Sequence, residues 1–202
     1  MEKIINIFGD SIAWGAGDNE KSGWVNRLKE YTNNKDSECC EIYNLGISGD
    51  DTNGIVKRFF VENESRKPNT IIVAIGINDS RYINSKENSQ VSLVKFEENL
   101  LNVIKQAKDI TKEVIFIGLT NINDSKLKPI PWNPTAYYDK ENVAIYDSKI
   151  KEVCAKNDLM FIEIQGLLDN SDLDEDGLHP NAEGHEKIFQ KIKDFLIENK
   201  II

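Results

Sequence analysis

Residues 70–76 read TIIVAIG, and Pro68 stands just before them. The run is apolar without a break, rich in β-branched side chains and too short for a helix, so it predicts a strand buried on both faces. Outward from it, four runs of the same kind follow the chain in both directions: KIINIF (3–8) and CEIYNLG (40–46) before it, KEVIFIGLT (112–120) and LMFIEI (159–164) after it. Amphipathic stretches separate them. WVNRLKEYTN (24–33) spaces Trp24, Leu28 and Tyr31 as a helix does, and VSLVKFEENLLNVIKQAKD (91–109) repeats apolar residues at steps of three and four. Helices are also predicted over 52–63, 137–157 and 181–199. Strands that alternate with helices in this way predict a parallel sheet covered on both faces. Residues 121–136 carry three prolines and several Asn and Ser, which predicts a long loop. No repeat, low-complexity tract or linker divides residues 1–202, so one domain is expected.

The bulk properties exclude more than they assign. With 202 residues, 40% hydrophobic, the chain is long enough to bury a core, and its net charge of -9 disfavours a nucleic-acid partner. The opening MEKIINIFGDS has no basic region ahead of a long apolar core, and no apolar run reaches the length of a membrane span. Neither a signal peptide nor a spanning helix is therefore expected. Cys39, Cys40 and Cys154 are odd in number and lack metal-ligand spacing, which suggests reduced thiols and a cytoplasmic location, with Cys39 and Cys40 as ordinary residues near a strand.

In parallel α/β sheets ligands collect at the carboxyl ends of the strands. There this chain carries Gly9-Asp10-Ser11, Asn44-Leu45-Gly46, Gly76-Ile77-Asn78-Asp79 and, after the fifth strand, Asp176-Gly177-Leu178-His179-Pro180. Acyl transfer needs a nucleophile, a base, an acid that orients the base, and donors for an oxyanion. Ser11, exposed at a strand-to-helix turn, fits the first role, His179 the second and Asp176 the third. The Ser11 and Gly46 N–H groups and the Asn78 side-chain amide fit the fourth. Each taken singly has a plain structural explanation: Ser11 as a helix cap, Gly46 and Gly76 as turn residues, Asn78 as a cap or turn former. Their joint placement is what points to catalysis.

Together GDSIAWG (9–15), NLGISG (44–49), GIND (76–79) and DGLHP (176–180) resemble the four sequence blocks of the SGNH hydrolases, the GDSL family of esterases and lipases. The blocks keep their order over nearly the whole chain, with Ile12 where the family name has Leu. The resemblance implies a flavodoxin-like three-layer α/β/α fold with strand order 2-1-3-4-5. It also implies a Ser11, Asp176 and His179 triad, with an oxyanion hole built from Ser11, Gly46 and Asn78. The activity implied is hydrolysis of a small-molecule acyl ester, with no metal and no cofactor. Trp14, close to the nucleophile, and Trp132, in the 121–136 loop, are candidates for an acyl or leaving-group pocket. The family's substrates, which include lipids, thioesters and acetylated sugars, leave the acyl chain and leaving group open, and the oligomeric state is open too.

Other readings compete for the same residues. Asp172, Asp174, Asp176, Gly177 and Glu183 match a calcium-loop pattern, but a strand precedes them, Pro180 removes an N–H, and no second loop is present. On the hydrolase reading Asp172 and Asp174 are solvated loop acids, and Glu183 belongs to the first turn of the last helix. His185 lacks zinc-site spacing and is expected to pack or lie at the surface, and Ser48 is a weaker rival to Ser11 because no G-x-S-x-G surrounds it. The alternative function is a phosphate- or flavin-binding module built on Gly9–Gly17. That loop lacks both G-K-[ST] and G-x-G-x-x-G and leaves DGLHP unexplained.

Overall fold

The computed structural model describes residues 3–34 and 40–202. Five strands, β1 (Lys3–Gly9), β2 (Cys40–Gly46), β3 (Thr70–Ala74), β6 (Glu113–Ile117) and β8 (Met160–Ile162), form a parallel sheet in the order β2-β1-β3-β6-β8. Counted within that sheet alone, the order is 2-1-3-4-5, as the resemblance implied. Strand β3 shows why the apolar run is continuous. Ile71 and Val73 face one layer while Ile72 faces the other, and all three are fully buried. The first layer is packed by α3 (Thr52–Arg66), α4 (Leu93–Ile110) and α5 (Lys140–Lys156), through side chains such as Phe59, Phe96 and Ile150. The second is packed by α2 (Gly23–Asn33) and α6 (Ala182–Glu198), through Trp24, Leu28 and Ile192. Among the described residues no helix is long and apolar enough to cross a membrane.

Strand β1 carries a polar exception in its buried run. Asn6 is fully buried, and its Nδ2 donates to Asn63 Oδ1 at 2.8 Å, while Asn63 Nδ2 donates to the Phe59 carbonyl at 2.9 Å. The pairing satisfies Nδ2 alone, and Asn6 Oδ1 is buried without a hydrogen-bond partner.

The structure departs from the sequence expectations in three places. Residues 80–90, for which no element was expected, contain β4 (Tyr82–Ile83) and β5 (Ser85–Ser89). With β7 (Ala136–Tyr137) they make a small antiparallel sheet in the order β5-β4-β7. The 121–136 segment is therefore partly structured, with a 3₁₀ turn at Asp124–Lys126 and an Ile130–Asn133 bridge. The helix expected from residue 137 starts at Lys140, because Asp139 caps it by accepting from the Glu141 N–H, while Tyr137 pairs with Tyr82. Of the cysteines, Cys40 and Cys154 are buried and Cys39 lies outside the described residues; burial pushes the Cys154 thiol up to about 12.

Candidate active site

Register brings the strand ends level, with Gly9 opposite Gly46 on one side and Ala74 on the other. Close packing there requires glycine. A Cβ on Gly9 would meet the Ala13 Cβ at 2.4 Å, and one on Gly46 would meet the Trp14 backbone nitrogen at 2.5 Å. After Gly9 the chain turns into α1 (Ser11–Trp14), a single helical turn whose cap is Asp10, with Asp10 Oδ1 accepting from the Ile12 N–H at 2.9 Å. Burial raises the Asp10 carboxyl to about 7, against the lowering pull of that N–H and of His179.

Ser11 is 7% exposed, less open than a strand-to-helix turn suggested, and its hydroxyl points along the cleft to His179. Ser11 Oγ lies 2.8 Å from His179 Nε2, and His179 Nδ1 lies 2.5 Å from Asp176 Oδ2. Asp176 Oδ1 accepts from the Leu178 and His179 N–H groups at 2.7 and 2.9 Å. Burial works to raise the Asp176 carboxyl, but the His179 hydrogen bond and the two amides outweigh it and hold the group below its usual range. An ionised Asp176 accepts, so the proton sits on Nδ1 and the Nε2 lone pair faces the serine.

The loop that carries His179 is fastened to its surroundings. The Asp174 N–H donates to the His179 carbonyl at 2.8 Å, the Asn123 N–H to the Gly177 carbonyl at 2.8 Å, and Asn181 caps α6. Trp132 stacks over the imidazole with ring centroids 6.2 Å apart.

The expected oxyanion donors reach the same rim in different states. Asn78 lines a cleft of about 480 Å³ together with Ser11, His179, Arg81, Trp132 and Tyr138. Its Nδ2 donates to the Asp50 carbonyl at 2.9 Å, and its Oδ1 accepts from the Tyr138 hydroxyl at 2.7 Å. The amide is thus oriented from both ends, with one N–H left over. The Gly46 N–H instead donates to Asn44 Oδ1 at 3.0 Å. Tyr138 was missed by the sequence reading, which placed it inside a helix, and Arg81 fell in a segment given no element. Burial pushes the Tyr138 phenol up, while the neighbouring Arg81 cation pulls it back.

The competing readings separate on geometry. Asp172, expected as a solvated acid, is 2% exposed, accepts from the Asp169 N–H at 2.7 Å and pairs with Lys187 at 2.7 Å. Asp176 is turned to His179, Glu183 is exposed, and among the described residues no three His, Cys, Asp or Glu are grouped to hold a metal. His185 is fully buried: its Nε2–H donates to the Ala16 carbonyl at 2.9 Å, and its Nδ1 accepts from the Trp24 N–H at 3.2 Å. Ser48 lines the catalytic cleft but is exposed, and His179 Nε2 faces Ser11. In Gly9–Gly17 the Trp14, Gly15 and Ala16 N–H groups donate to the carbonyls of Asp10 and Ser11, so these three are not available to a phosphate.

The family model of the GDSL-like lipase/acylhydrolase family matches residues 7–187. Among solved structures, the chain is similar to the lipase/acylhydrolase from Enterococcus faecalis at 23% identity, with a TM-score of 0.79, over 96% of this chain and 95% of that one. It is also similar to a catalytic mutant of an acetylxylan esterase from Geobacillus stearothermophilus at 20% identity, with a TM-score of 0.75, over 97% and 93% of the two chains. An alpha/beta hydrolase enzyme from the metagenome of Lake Arreo, Spain, has 18% identity and a TM-score of 0.73, with 96% and 94% covered. No curated protein matches the chain.

Proposed function

The chain belongs to the GDSL-like lipase/acylhydrolase family, whose members are ester-acting hydrolases, and from that premise we propose that it hydrolyses a small acyl ester through a Ser11, His179 and Asp176 triad. The observation that carries this reading is the continuous line from Ser11 Oγ to His179 at 2.8 Å and on to Asp176 at 2.5 Å. Ser11 Oγ attacks the ester carbonyl carbon as its proton passes to His179 Nε2. Asp176 holds the imidazole in the required tautomer and stabilises the imidazolium. The oxyanion is held by the Ser11 N–H, the free N–H of Asn78 and the Gly46 N–H, which exchanges Asn44 Oδ1 for the developing charge. Collapse breaks the carbonyl–alkoxy bond, and His179 protonates the leaving oxygen. Water, deprotonated by His179, then attacks the acyl-Ser11 ester and releases the acid. These steps close in protons and electrons with the residues named, and residues 1–202 act as one hydrolase domain.

Hydrolysis of 4-nitrophenyl acetate by wild type, Ser11→Ala and His179→Ala, each with and without EDTA, tests the proposal. Each variant is expected to lose activity by about 10³-fold or more, with no effect of EDTA. An active Ser11→Ala enzyme would remove Ser11 from the nucleophile's role.

A further inference from the structure

A second cavity, larger than the catalytic cleft, opens beside it. It measures about 970 Å³ out to solvent, against about 480 Å³ for the cleft, and the two share Ala16. Trp14 forms one wall, three residues beyond Ser11 on the single turn of α1. Its indole is 57% exposed and belongs to neither core cluster. Asn19, Ser22, Asn26 and Asn44 line the cavity too, and of these the Asn44 amide is already engaged, donating to the Ala13 carbonyl and accepting from the Gly46 N–H. Ser22 stands at the N-cap of α2, yet its side chain makes no capping bond. Asp18, the acid in the wall, is held below its usual range by Arg27 and by the Gly23, Lys21 and Glu20 N–H groups, which overcome its burial, so its charge is already matched. Among the described lining residues the Ala16 methyl is the sole aliphatic side chain.

We propose that this cavity is a subsite for an uncharged polyhydroxylated ring, a sugar, that forms the alcohol side of the ester. The inference rests on the triad reading above and names its substrate class. An acyl chain placed here would cover two amides and a hydroxyl without pairing them, at a desolvation cost that the Trp14 contact does not offset. A sugar ring meets both demands: its C–H face lies on the indole, and its hydroxyls pair with Asn19, Asn26 and Ser22. The ester oxygen then lies toward Ser11, and the sugar leaves with the proton returned by His179.

The test compares acetate release from methyl tri-O-acetyl-β-D-xylopyranoside with hydrolysis of 4-nitrophenyl acetate and 4-nitrophenyl octanoate, for wild type, Trp14→Ala, Trp14→Phe and Asn26→Ala. Trp14→Ala is expected to lower kcat/KM on the acetylated sugar about tenfold, the scale of one aromatic contact, and to change the nitrophenyl ester less than twofold. Trp14→Phe should recover most of the loss, and Asn26→Ala should reproduce part of it. Equal losses on both substrates in Trp14→Ala would overturn the subsite. So would a loss confined to 4-nitrophenyl octanoate, which would make the occupant an acyl chain. A wild type that cleaves the nitrophenyl ester but not the acetylated sugar defeats the subsite alone, whereas a wild type inactive on both defeats the hydrolase reading beneath it.

Discussion

Asn78 has its amide fixed from two sides, by the Asp50 carbonyl on Nδ2 and the Tyr138 hydroxyl on Oδ1. A carbonyl can only accept, so the Asp50 contact sets which end of the amide is the donor, and Tyr138 keeps the other end from turning. Tyr138→Phe should therefore lower kcat by about tenfold with little change in KM, because the loss falls on an interaction made in the transition state. A rise in KM at unchanged kcat would place Tyr138 in substrate binding instead. Asp176→Asn keeps an oxygen for the Leu178 and His179 N–H groups but no longer stabilises an imidazolium. Its kcat should fall by about 10⁴, with the melting temperature nearly that of wild type, and an activity within tenfold of wild type would contradict Asp176's place behind His179. At this scale Ser11, Asn78, Asp176 and His179 were legible as candidates because each lies in a short sequence block, after β1, after β3 and in the loop before α6. Tyr138 was not, since nothing local marks a tyrosine whose partner is 60 residues away.

The connection between β3 and α4 shows how elements hold the site. Asp79, next to Asn78 and fully buried, accepts from the Thr52 N–H at 3.1 Å and from the Thr52 hydroxyl at 2.5 Å, which ties the start of α3 to the end of β3. Burial raises its carboxyl to about 7, against the lowering effect of Thr52. A carboxyl raised in the folded state contributes stability that is fully present below its unfolded pKa of about 4 and is lost as pH rises through 7. Relative to Asp79→Asn, the wild type should thus lose melting temperature steadily from pH 4 to pH 7. The difference between two melting curves isolates this group from Asp10, which shares the window, and from His185, whose lowered pKa acts in the opposite sense. A difference that stays flat over that range would contradict the raised value. The elements that escaped the sequence reading are β4, β5 and β7, two to five residues each, with no run long enough to show a period. Their pairing is set by tertiary contacts such as Tyr82 with Tyr137, whose rings lie 5.2 Å apart.

Across the whole molecule, the parallel sheet was readable because its inner strands β1, β3 and β6 are buried on both faces and written in nearly unbroken apolar runs, while the edge strands β2 and β8 are only partly buried. The order of those strands was not in the runs themselves; it came from the resemblance. Core packing carries a matching prediction. Ile72, fully buried in the central strand against the α2 and α6 layer, should cost about 2–5 kcal/mol when cut to Ala, read as a shift in the urea midpoint without a change in slope. A shift under 1 kcal/mol would mean that the layer collapses around the gap. What the fold does for function is bring Ser11 and His179, 168 positions apart, into one hydrogen bond at the sheet rim. The most direct test of that arrangement is the intact mass of the protein after treatment with a fluorophosphonate ester, followed by peptide mapping. A single adduct on Ser11, formed by wild type and absent from His179→Ala over the same time, is the result this structure predicts. An adduct on Ser48 or another residue, with Ser11 unmodified, would contradict it.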